Sequence, residues 1–496
     1  MRPPRPGRFT AALLLLPLLS ACFASGGDGS SGGSADGARL RVALAFPPAE
    51  NFSPYGADAT LLSRLGVTEG LTQLDANGTA APALAASWKR ENAKSWLFTL
   101  REAEFQDGTG VTPAAVAAAL DHAAEADPVP AALSGITLTA EAAEGDQVRV
   151  TTAEADPALP LRLSSPGLAI LSPKAYGKTV SPVGTATGPF ELTKTTGTST
   201  AALDRFDDYW GGRAQASGID ARFVADGTAR ANALRSGDVD IAEAVPVSQA
   251  ASLDKGTAKD TATTRTTSLQ LNTRSGAFKD AEVRAAARAA VDTSTLAKGV
   301  YEGYADPGEG VFGPAVTWAA DQRVTPSGRA EPAAVKGTGI TLATYDNRPD
   351  LPEVAQVLKQ QLEKAGFEVK LVVREYSRLE SDALAGKFDA FVGARNAMLD
   401  TGDAVSVLAS DYTCDGSYNL SRLCDKAADR AVDRAEAAAD TAARQRATMQ
   451  AEAAVLATDA VVPLVHQRII TGVGTDVSGV LLDPYERTLV GTGTRR

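Results

Sequence analysis

Residues 339–373 read GITLATYDNRPDLPEVAQVLKQQLEKAGFEVKLVV, and this stretch indicates the fold class. Gly339–Tyr345 has the apolar and β-branched character of a strand. Pro352 stands where the first turn of a helix tolerates proline, and one face of that helix is marked by Val354, Val357, Leu358 and Leu362. Gly366 suits the end of the helix, and Phe367–Val373 alternates as the next strand. The stretch predicts a βαβ unit and therefore an α/β architecture.

The same alternation of strand-like runs and amphipathic helices extends outward from this unit, beginning at Leu40. One helix is predicted over Thr112–Ala124 and another over Asp280–Gly299, with Asp280 as its N-cap. Lys426–Ala457 is rich in alanine and charge, and it predicts two helices broken near Asp440. We expect the charges of this last pair to form a solvated face.

Composition excludes several classes of function. The chain has 496 residues and a formal net charge of −11, and it is 44% hydrophobic and 22% charged, as in a folded soluble protein of two or three domains. Phosphate binding needs clustered lysine and arginine, and no such run occurs, so we expect no nucleic-acid partner. Only two histidines are present, which excludes a metal cage of several histidines. We expect neither a protein-held metal nor a cofactor.

The N-terminus predicts export. Residues 1–21 combine an arginine-containing start with the apolar stretch Ala11–Leu19, which is too short to span a bilayer. The sequence Leu-Ser-Ala-Cys at 19–22 resembles the lipobox of bacterial lipoproteins, in which the signal peptide is cut before a lipidated cysteine, here Cys22. Residues 22–38 then read as a flexible Gly/Ser tether. We expect a protein anchored by lipid to the outer face of the bacterial cytoplasmic membrane, or a periplasmic one.

Two cysteines remain after Cys22, namely Cys414 and Cys424. An exported protein meets an oxidising environment, so we predict that these two form a disulfide. The alternative is a thiolate metal site, but two cysteines without a nearby histidine are a poor set of ligands.

Nearly the whole chain after the tether resembles one family, the peptide/nickel class of solute-binding proteins (solute-binding family 5), which are the receptors of ABC importers. Several short segments carry this resemblance, in the family's order and at plausible spacing: Glu69-Gly70-Leu71, Pro82–Trp88, Trp96–Arg101 with Phe105–Gly108, Tyr209–Gly212, Leu234–Ile241 and Val283–Ala286.

The resemblance implies a fold as well as a function. It implies the two-lobed periplasmic-binding-protein type II fold, with a subdomain inserted in lobe one. We place lobe one at 39–268 plus 468–496, the inserted subdomain near 60–180, and lobe two at 269–467. Ligand would lie between lobes that close by hinge rotation. The implied protein is a monomeric receptor without enzyme activity, which delivers solute to permease and ATPase subunits.

The resemblance also suggests where a ligand binds. Peptide-binding members pair the ligand's ammonium with an acid in a loop of lobe two, and the corresponding stretch here is 395–404. Asp400 is our first candidate for that acid and Asp403 the second. Both could instead be loop acids that face water or cap a helix. Arg395 could hold a ligand carboxylate, or else form an ion pair with Asp389 or Asp400. Further candidates for the binding cleft are Asn396, Tyr418 and Asn419 in lobe two, and Phe46, Asn51 and Tyr55 in lobe one.

Three alternatives remain open at the level of sequence. A nickel chelate is the second candidate ligand, because a chelator supplies most of the metal's ligands itself. We expect His122 and His466 to be packing or surface residues rather than ligands of that metal. A secreted hydrolase is a remote alternative, since no Ser/His/Asp arrangement emerges. A sensory or chaperone receptor on the same fold cannot be told from an importer receptor by sequence.

Overall fold

The computed structural model describes residues 37–274 and 276–496. The predicted signal peptide, the lipidation site at Cys22 and nearly all of the tether lie outside these residues. All the structural statements below concern the described part of the chain.

Strands and short helices alternate through the first half of the chain. The elements, in order, are β1 (Leu40–Leu44), α1 (Asp58–Arg64), β2 (Thr72–Leu74), β3 (Ala80–Pro82), β4 (Ala85–Arg90), β5 (Ser95–Leu100), α2 (Pro113–Ala124), β6 (Leu138–Ala142), β7 (Gln147–Thr152), α3 (Leu159–Arg162), β8 (Phe190–Thr196), β9 (Thr200–Arg205), β10 (Gly218–Phe223), α4 (Gly227–Arg235), β11 (Ile241–Ala242), α5 (Val247–Ala250) and β12 (Ala258–Leu271).

The second half is richer in helix. Its elements are α6 (Ala281–Ala290), α7 (Thr293–Gly299), β13 (Ala305–Pro307), α8 (Thr317–Asp321), β14 (Thr338–Tyr345), α9 (Asp350–Ala365), β15 (Phe367–Arg374), α10 (Glu380–Leu384), β16 (Ala390–Asn396), α11 (Ala404–Tyr412), α12 (Lys426–Ala437), α13 (Thr441–Ala457) and β17 (Val461–Val473).

The predicted βαβ unit is confirmed. Strands β14 and β15 pair in parallel along their whole length, from Thr338↔Phe367 to Tyr345↔Arg374. Helix α9 connects them, and its buried face includes Val354, Leu358 and Leu362. Gly366 ends this helix at φ 115°, a left-handed conformation in which a side chain would be strained. The α/β fold class is therefore established at the stretch that predicted it.

One mixed sheet joins the two halves of the chain. Its strands run in the order β15-β14-β16-β12-β17-β11-β1-β10-β9-β8. Strand β14 is parallel to β15 and β16, and β1 is parallel to β10 and β11. Between these two parallel groups lie the long antiparallel strands β12 and β17. Their pairing is interrupted between Ala262 and Thr266 of β12, where the register shifts.

Separate hydrophobic cores pack on the two ends of this sheet. The first core is formed by β1, α1 and β8–β10, and it is completed by Leu489 and Val490 from the C-terminal segment. The second core is formed by β14–β16 with α6, α7 and α9. A third core packs α11, α12 and α13 together with Met398 and Tyr485.

A smaller unit folds within the first half of the chain. It has its own four-stranded sheet, in the order β4-β5-β7-β6, and α2 packs on it. Its core includes Phe98, Phe105 and Leu120, all nearly inaccessible to solvent. We call this hydrophobic cluster the subdomain core. The hairpin of β2 and β3 adjoins the four-stranded sheet through β4.

Two expectations about helices need correction. Asp280–Gly299 is not one helix, because the chain is extended at Val291 and Asp292, and Asp292 caps α7 through the amide of Thr295. The break near Asp440 between α12 and α13 is confirmed. The charges of this pair are not all solvated, however, since Glu452 is fully buried and accepts a hydrogen bond from the amide of Phe312.

None of the helices in the described residues combines the length and the apolar character that a membrane span requires.

Candidate ligand-binding site

The candidate residues follow the carboxyl ends of the parallel strands. Ligands of open α/β sheets bind in the crevice outside these ends. Strand β1 ends shortly before Phe46, β14 before Arg348, and β16 before the loop 397–402 that contains Asp400. The candidates of both halves thus lie at the edges where the fold class favours a site.

Arg395 is the centre of a charged cluster at the end of β16. Its Nε donates to Oδ2 of Asp411 at 3.2 Å, and its Nη1 lies 3.6 Å from Oδ2 of Asp400. Asp411 is 5% exposed, whereas the side chain of Asp400 is 39% exposed. Although burial alone would lower it, the pKa of Arg395 is raised by Asp411 and Asp400. Burial raises the pKa of Asp411, against the opposing effect of Arg395.

The ion pair foreseen for Arg395 therefore involves Asp400 and not Asp389. Asp389 lies at the beginning of β16, where its Oδ2 accepts the amide hydrogen of Thr341 at 2.8 Å. Asp400 accepts no hydrogen bond within the described part of the chain, so its carboxylate remains open to an incoming donor.

Tyrosines form a wall beside this cluster. The guanidinium carbon of Arg395 lies 5.2 Å from the ring centre of Tyr418. The hydroxyls of Tyr418 and Tyr376 are hydrogen-bonded, and Tyr376 also donates to Glu380 at 2.6 Å. The ring of Tyr345 meets that of Tyr376 edge-on at 4.9 Å. Burial raises the pKa of Tyr418 to about 12, so its hydroxyl is neutral near pH 7.

The loop that carries Tyr418 is closed by a disulfide between Cys414 and Cys424. The amide group of Asn419 donates to the carbonyls of Thr413 and Leu423, both at 2.7 Å. Asn419 therefore braces the loop from within, which is a structural role rather than the ligand contact that we expected.

Asp403 also has a structural role, in contrast to our second choice for the ammonium partner. It caps α11 by accepting the amide hydrogen of Val405, and its carboxylate pairs with Arg444 at 2.5 Å. Asp403 is 7% exposed, and its carboxylate already has hydrogen-bond and ion-pair partners within the protein. The alternative that one of the two acids caps a helix thus applies to Asp403 and not to Asp400.

Asn396 is engaged inside the protein as well. Its Oδ1 accepts from the hydroxyl of Thr264 at 2.7 Å, and its Nδ2 donates to Glu486 at 2.9 Å. It is 5% exposed. Asn396 fixes the end of β16 and does not present its amide to a ligand.

The predicted rim after β1 is ordered by one carboxylate. Asp58 accepts the amide hydrogens of Ala49, Glu50 and Phe52 at 2.8–2.9 Å. The turn so formed holds Asn51 at φ 54° and leaves Phe46 54% exposed. Tyr55 is half-buried and packs against the subdomain core. Phe46 and Asn51 are thus the exposed candidates on this side.

Sequence reasoning missed Arg348, which follows β14. Its Nη2 donates to Oε1 of Gln467 at 2.8 Å, and its Nε is buried without a hydrogen-bond partner among the described residues. Oδ1 of Asp350 lies 3.8 Å from that Nε, beyond hydrogen-bond distance, while Oδ2 of the same residue accepts from Tyr301 and Gln467. An arginine just after a buried parallel strand was the available signal. The Nε hydrogen of Arg348 is therefore not used in a hydrogen bond within the described residues.

The two histidines both contact other residues of the protein. His122 stacks on Tyr176 with the ring centres 4.0 Å apart. His466 is buried in β17, where Nδ1 meets the hydroxyl of Thr266 at 2.9 Å and Nε2 accepts the amide hydrogen of Glu309. Among the described residues, one group has metal-ligand spacing, Cys414, Cys424 and Asp429, and its cysteines are those of the disulfide.

Comparison with known proteins adds a family and several relatives. The profile described as "Bacterial extracellular solute-binding proteins, family 5 Middle" matches residues 79–419. The chain is 29% identical over 388 residues to the glutathione-binding protein GsiB of Escherichia coli O1:K1 / APEC, covering 72% of this chain and 73% of that protein. It is 26% identical over 373 residues to the nickel-binding protein NikA of Staphylococcus aureus, covering 72% and 74%.

Solved structures share the fold. The structure of S. aureus NikA in complex with Ni(L-His)2 superposes with a TM-score of 0.76 at 22% identity, covering 92% of this chain and all of that one. Haemophilus influenzae OppA in complex with the peptide RPPGFSPFR gives a TM-score of 0.72 at 19% identity, with coverage of 92% and 98%. These likenesses confirm the expected periplasmic-binding-protein type II fold.

Proposed function

Because the chain belongs to family 5 of the bacterial extracellular solute-binding proteins, we propose that it is the receptor of an ABC importer for a small peptide or peptide-like solute. Proteins of this family are transport receptors and not enzymes. The remote hydrolase alternative is thereby set aside. GsiB binds glutathione and OppA a nonapeptide, so peptide-like ligands occur among the relatives.

The open carboxylate of Asp400 is the observation that carries this proposal. Two carboxylates share the single guanidinium of Arg395, and Asp411 is both nearer to it and buried. A ligand ammonium bound to Asp400 would be a second cation for the two carboxylates. Arg395 would then neutralise Asp411, and the ammonium would neutralise Asp400. Such an ammonium–carboxylate contact is a charge-assisted hydrogen bond, which is among the stronger polar contacts.

Arg348 supports the opposite end of a zwitterionic ligand. Its Nε makes no hydrogen bond among the described residues, with Asp350 at 3.8 Å, and guanidinium groups suit carboxylates. Tyr418, Tyr376 and Tyr345, which contact one another in that order, offer apolar ring surface and hydroxyls beside Arg395. We therefore assign the ammonium to Asp400, the carboxylate to Arg348, and the side chains of the ligand to the tyrosine wall and to Phe46.

The rest of the proposed assembly follows from the family and from the cores. We assign lobe one to 39–268 plus 468–496 and lobe two to 269–467, and the separate first and second cores support this division. We assign the inserted subdomain to about 60–180, and the subdomain core, whose buried residues lie between Leu71 and Ile170, supports this assignment. The receptor is a monomer, exported and held at the membrane by lipid on Cys22. It delivers its ligand to permease and ATPase subunits.

A nickel chelate is the second candidate ligand. The likeness to S. aureus NikA, whose structure contains Ni(L-His)2, is the observation in its favour. Such a chelate brings its own nitrogen donors, so the absence of a histidine among our candidate site residues does not count against it.

The first test replaces Asp400 with asparagine, which keeps the shape of the side chain and removes its charge. Binding of di- and trialanine, their N-acetylated forms, and nickel with L-histidine is measured by calorimetry on the purified full-length chain. A hydrogen bond to a charged group contributes about 1.5–3 kcal/mol. We expect the unblocked peptides to bind roughly tenfold to a hundredfold more weakly to Asp400→Asn.

Asp415→Asn is the matched control, because Asp415 is an exposed acid in the neighbouring disulfide loop. It should bind like the wild type. Equal binding of blocked and unblocked peptides by the wild type would refute the ammonium site. Binding of the nickel–histidine complex alone would promote the second candidate.

A further inference from the structure

The C-terminal segment 483–488 lies between parts of the molecule that are far apart in sequence. The carbonyl of Pro484 accepts the amide hydrogen of Thr264, at the irregular register of β12. The hydroxyl of Tyr485 donates to the carbonyl of Ala76, in the turn between β2 and β3, at 3.2 Å. Asp483 orders the segment itself by accepting the amide hydrogens of Arg487 and Thr488.

Glu486 contacts the neighbouring strands β12 and β16 and also helix α1 from this position. Arg265 of β12 donates to its two oxygens, each at 3.1 Å, and Asn396 at the end of β16 donates at 2.9 Å. Arg64 of α1, in the first core, completes the group at 3.6 Å. Burial alone would raise the pKa of Glu486, but Arg265 and Arg64 lower it to about 2. Glu486 is therefore a charged tie between α1 and the end of β16.

Arg487 makes the next connection, and its acceptors are chiefly backbone carbonyls. Its Nη2 donates to the carbonyl of Met398 at 2.8 Å, and its Nε to that of Leu399 at 3.0 Å. Its Nη1 donates to both the carbonyl and the hydroxyl of Ser164, each at 2.8 Å. The residue is 5% exposed. One guanidinium thus joins the segment after α3 to the two residues that precede Asp400.

The loop 397–402 is consequently held on both sides of Asp400. Its beginning is fixed by Asn396 and Arg487, and its end by the close approach of Gly402 to Leu74 and Ser164. Gly402 has φ 68°, and an added Cβ would lie 2.8 Å from the side chain of Leu74. Asp400 makes no hydrogen bond in this anchorage: it approaches Arg395 at 3.6 Å, and its charge acts on Arg487, whose pKa it raises against the larger effect of burial.

We propose that Arg487 and Glu486 are positioning residues for the ligand site: from outside the site they fix the backbone that sets the place of the Asp400 carboxylate. This inference rests on the proposed function, in which Asp400 receives the ligand's ammonium. Affinity for an unblocked peptide then depends on residues that do not touch it. Because the loop is already ordered before the ligand binds, the entropic cost of binding is smaller.

The planar fork of Arg487 is what the arrangement requires. Three nitrogens donate in fixed directions to three different residues, whereas a lysine ammonium is a single centre on a flexible stem. Arg487→Lys keeps the charge but cannot span Ser164, Met398 and Leu399 at once. Arg487→Lys and Glu486→Gln are the test variants. Arg495→Lys is the matched control, because Arg495 is an exposed arginine of the same C-terminal region and bonds to Gln215.

Two measurements on the full-length chain test the inference. The first is hydrogen exchange of the peptide that covers 397–403, without ligand. We expect at least tenfold faster exchange there in Arg487→Lys and Glu486→Gln, with β14 and α9 unchanged. The second is the ratio of affinities for trialanine and N-acetyl-trialanine, which should fall at least fivefold in both variants and stay at the wild-type value in Arg495→Lys.

The outcomes separate this inference from the proposed function. Wild-type exchange in 397–403 together with a wild-type affinity ratio would overturn the inference. A general loss of stability with an unchanged affinity ratio would also overturn it, because a merely structural role predicts that result. If the wild type binds neither peptide, the proposed function fails, and the exchange of 397–403 still decides whether the two residues fix the loop.

Discussion

The imidazole of His466 is buried against cationic and acidic neighbours. It is 2% exposed in β17, and Arg323, Glu309 and Glu452 are the charged residues close to it. Burial, with a smaller contribution from Arg323, lowers its pKa from 6.5 to about 4. The folded protein therefore keeps His466 neutral at pH values where the unfolded chain binds a proton.

This difference predicts a pH dependence of stability. The contribution of His466 is complete above about pH 6.5 and is lost as the pH falls towards 4, because the unfolded state binds more protons in that window. The shift corresponds to about 3 kcal/mol. In urea titrations, His466→Gln should lose stability less steeply than the wild type between pH 6.5 and 4.

His122→Gln is the matched control, since His122 is exposed and stacks on Tyr176. It should follow the wild-type curve over the same range of pH. If His466→Gln also follows that curve, the pKa of His466 is not lowered by folding.

At single positions, the sequence indicated which residues could take part in a binding site, but it did not indicate which partners they have in the folded protein. Asp400 and Asp403 are equivalent in a sequence, but only Asp403 finds Arg444, a residue 41 positions away that joins it through the packing of α11 and α13. Arg348 was missed for a related reason, because its missing hydrogen-bond partner is a property of the folded surroundings. Partners from distant segments cannot be inferred from spacing alone.

The disulfide loop is the element that links stability to the site. It closes ten residues in sequence separation and carries Tyr418, whose ring lies beside Arg395. In the loop-entropy description, such a closure contributes about 2–3 kcal/mol. We expect reduction by a phosphine to lower the melting temperature by several degrees and to weaken the binding of trialanine.

The double variant Cys414→Ser/Cys424→Ser supplies the control for this experiment. It should melt near the temperature of the reduced wild type and should not respond to reductant. An unchanged melting temperature of the wild type after complete reduction would show that the disulfide does not stabilise the fold.

Elements with local signals were predicted well, and elements set by tertiary contact were not. Proline, glycine and apolar spacing were sufficient for α9, and Asp440 for the start of α13. No proline or glycine interrupts the chain from Asp280 to Lys298, and this concealed the extended residues Val291 and Asp292. Gln361 of α9 accepts the amide hydrogen of Asp292, so a partner 69 residues away supports the break.

On the scale of the whole described chain, the first and second cores share the mixed sheet, whereas the subdomain core has a sheet of its own. Strands β12 and β17 pair with each other and supply residues to the second core, and β17 also pairs with β11, the neighbour of β1. Glu486 connects α1 with β16. These shared elements couple the cores. We predict a single calorimetric transition in the absence of ligand, with the calorimetric enthalpy close to the van't Hoff enthalpy.

Scans at two heating rates should give the same midpoint if that transition is reversible. Two resolved transitions, or a calorimetric enthalpy twice the van't Hoff value, would mean that the cores unfold independently.

At this scale the family motifs predicted the architecture, and they lie in several kinds of element: Trp96–Arg101 in and just after β5, Val283–Ala286 in α6, and Leu234–Ile241 from the end of α4 to β11. The ligand is different. The residues that would contact it lie in loops whose conformation depends on partners such as Arg487 and Asp58, and loops carry specificity.

The closing of the first core by Leu489 and Val490 has a consequence for biosynthesis. Strand β1 begins at Leu40, and the residues that cover its sheet are made about 450 positions later. At the usual rate of roughly 5 to 20 residues per second, the ribosome needs roughly 20 to 90 seconds to reach them. During that time the first-made part of the protein lacks two of its buried side chains. The nascent chain therefore cannot complete the first core until synthesis is nearly finished. An incompletely folded chain can still pass through an export channel.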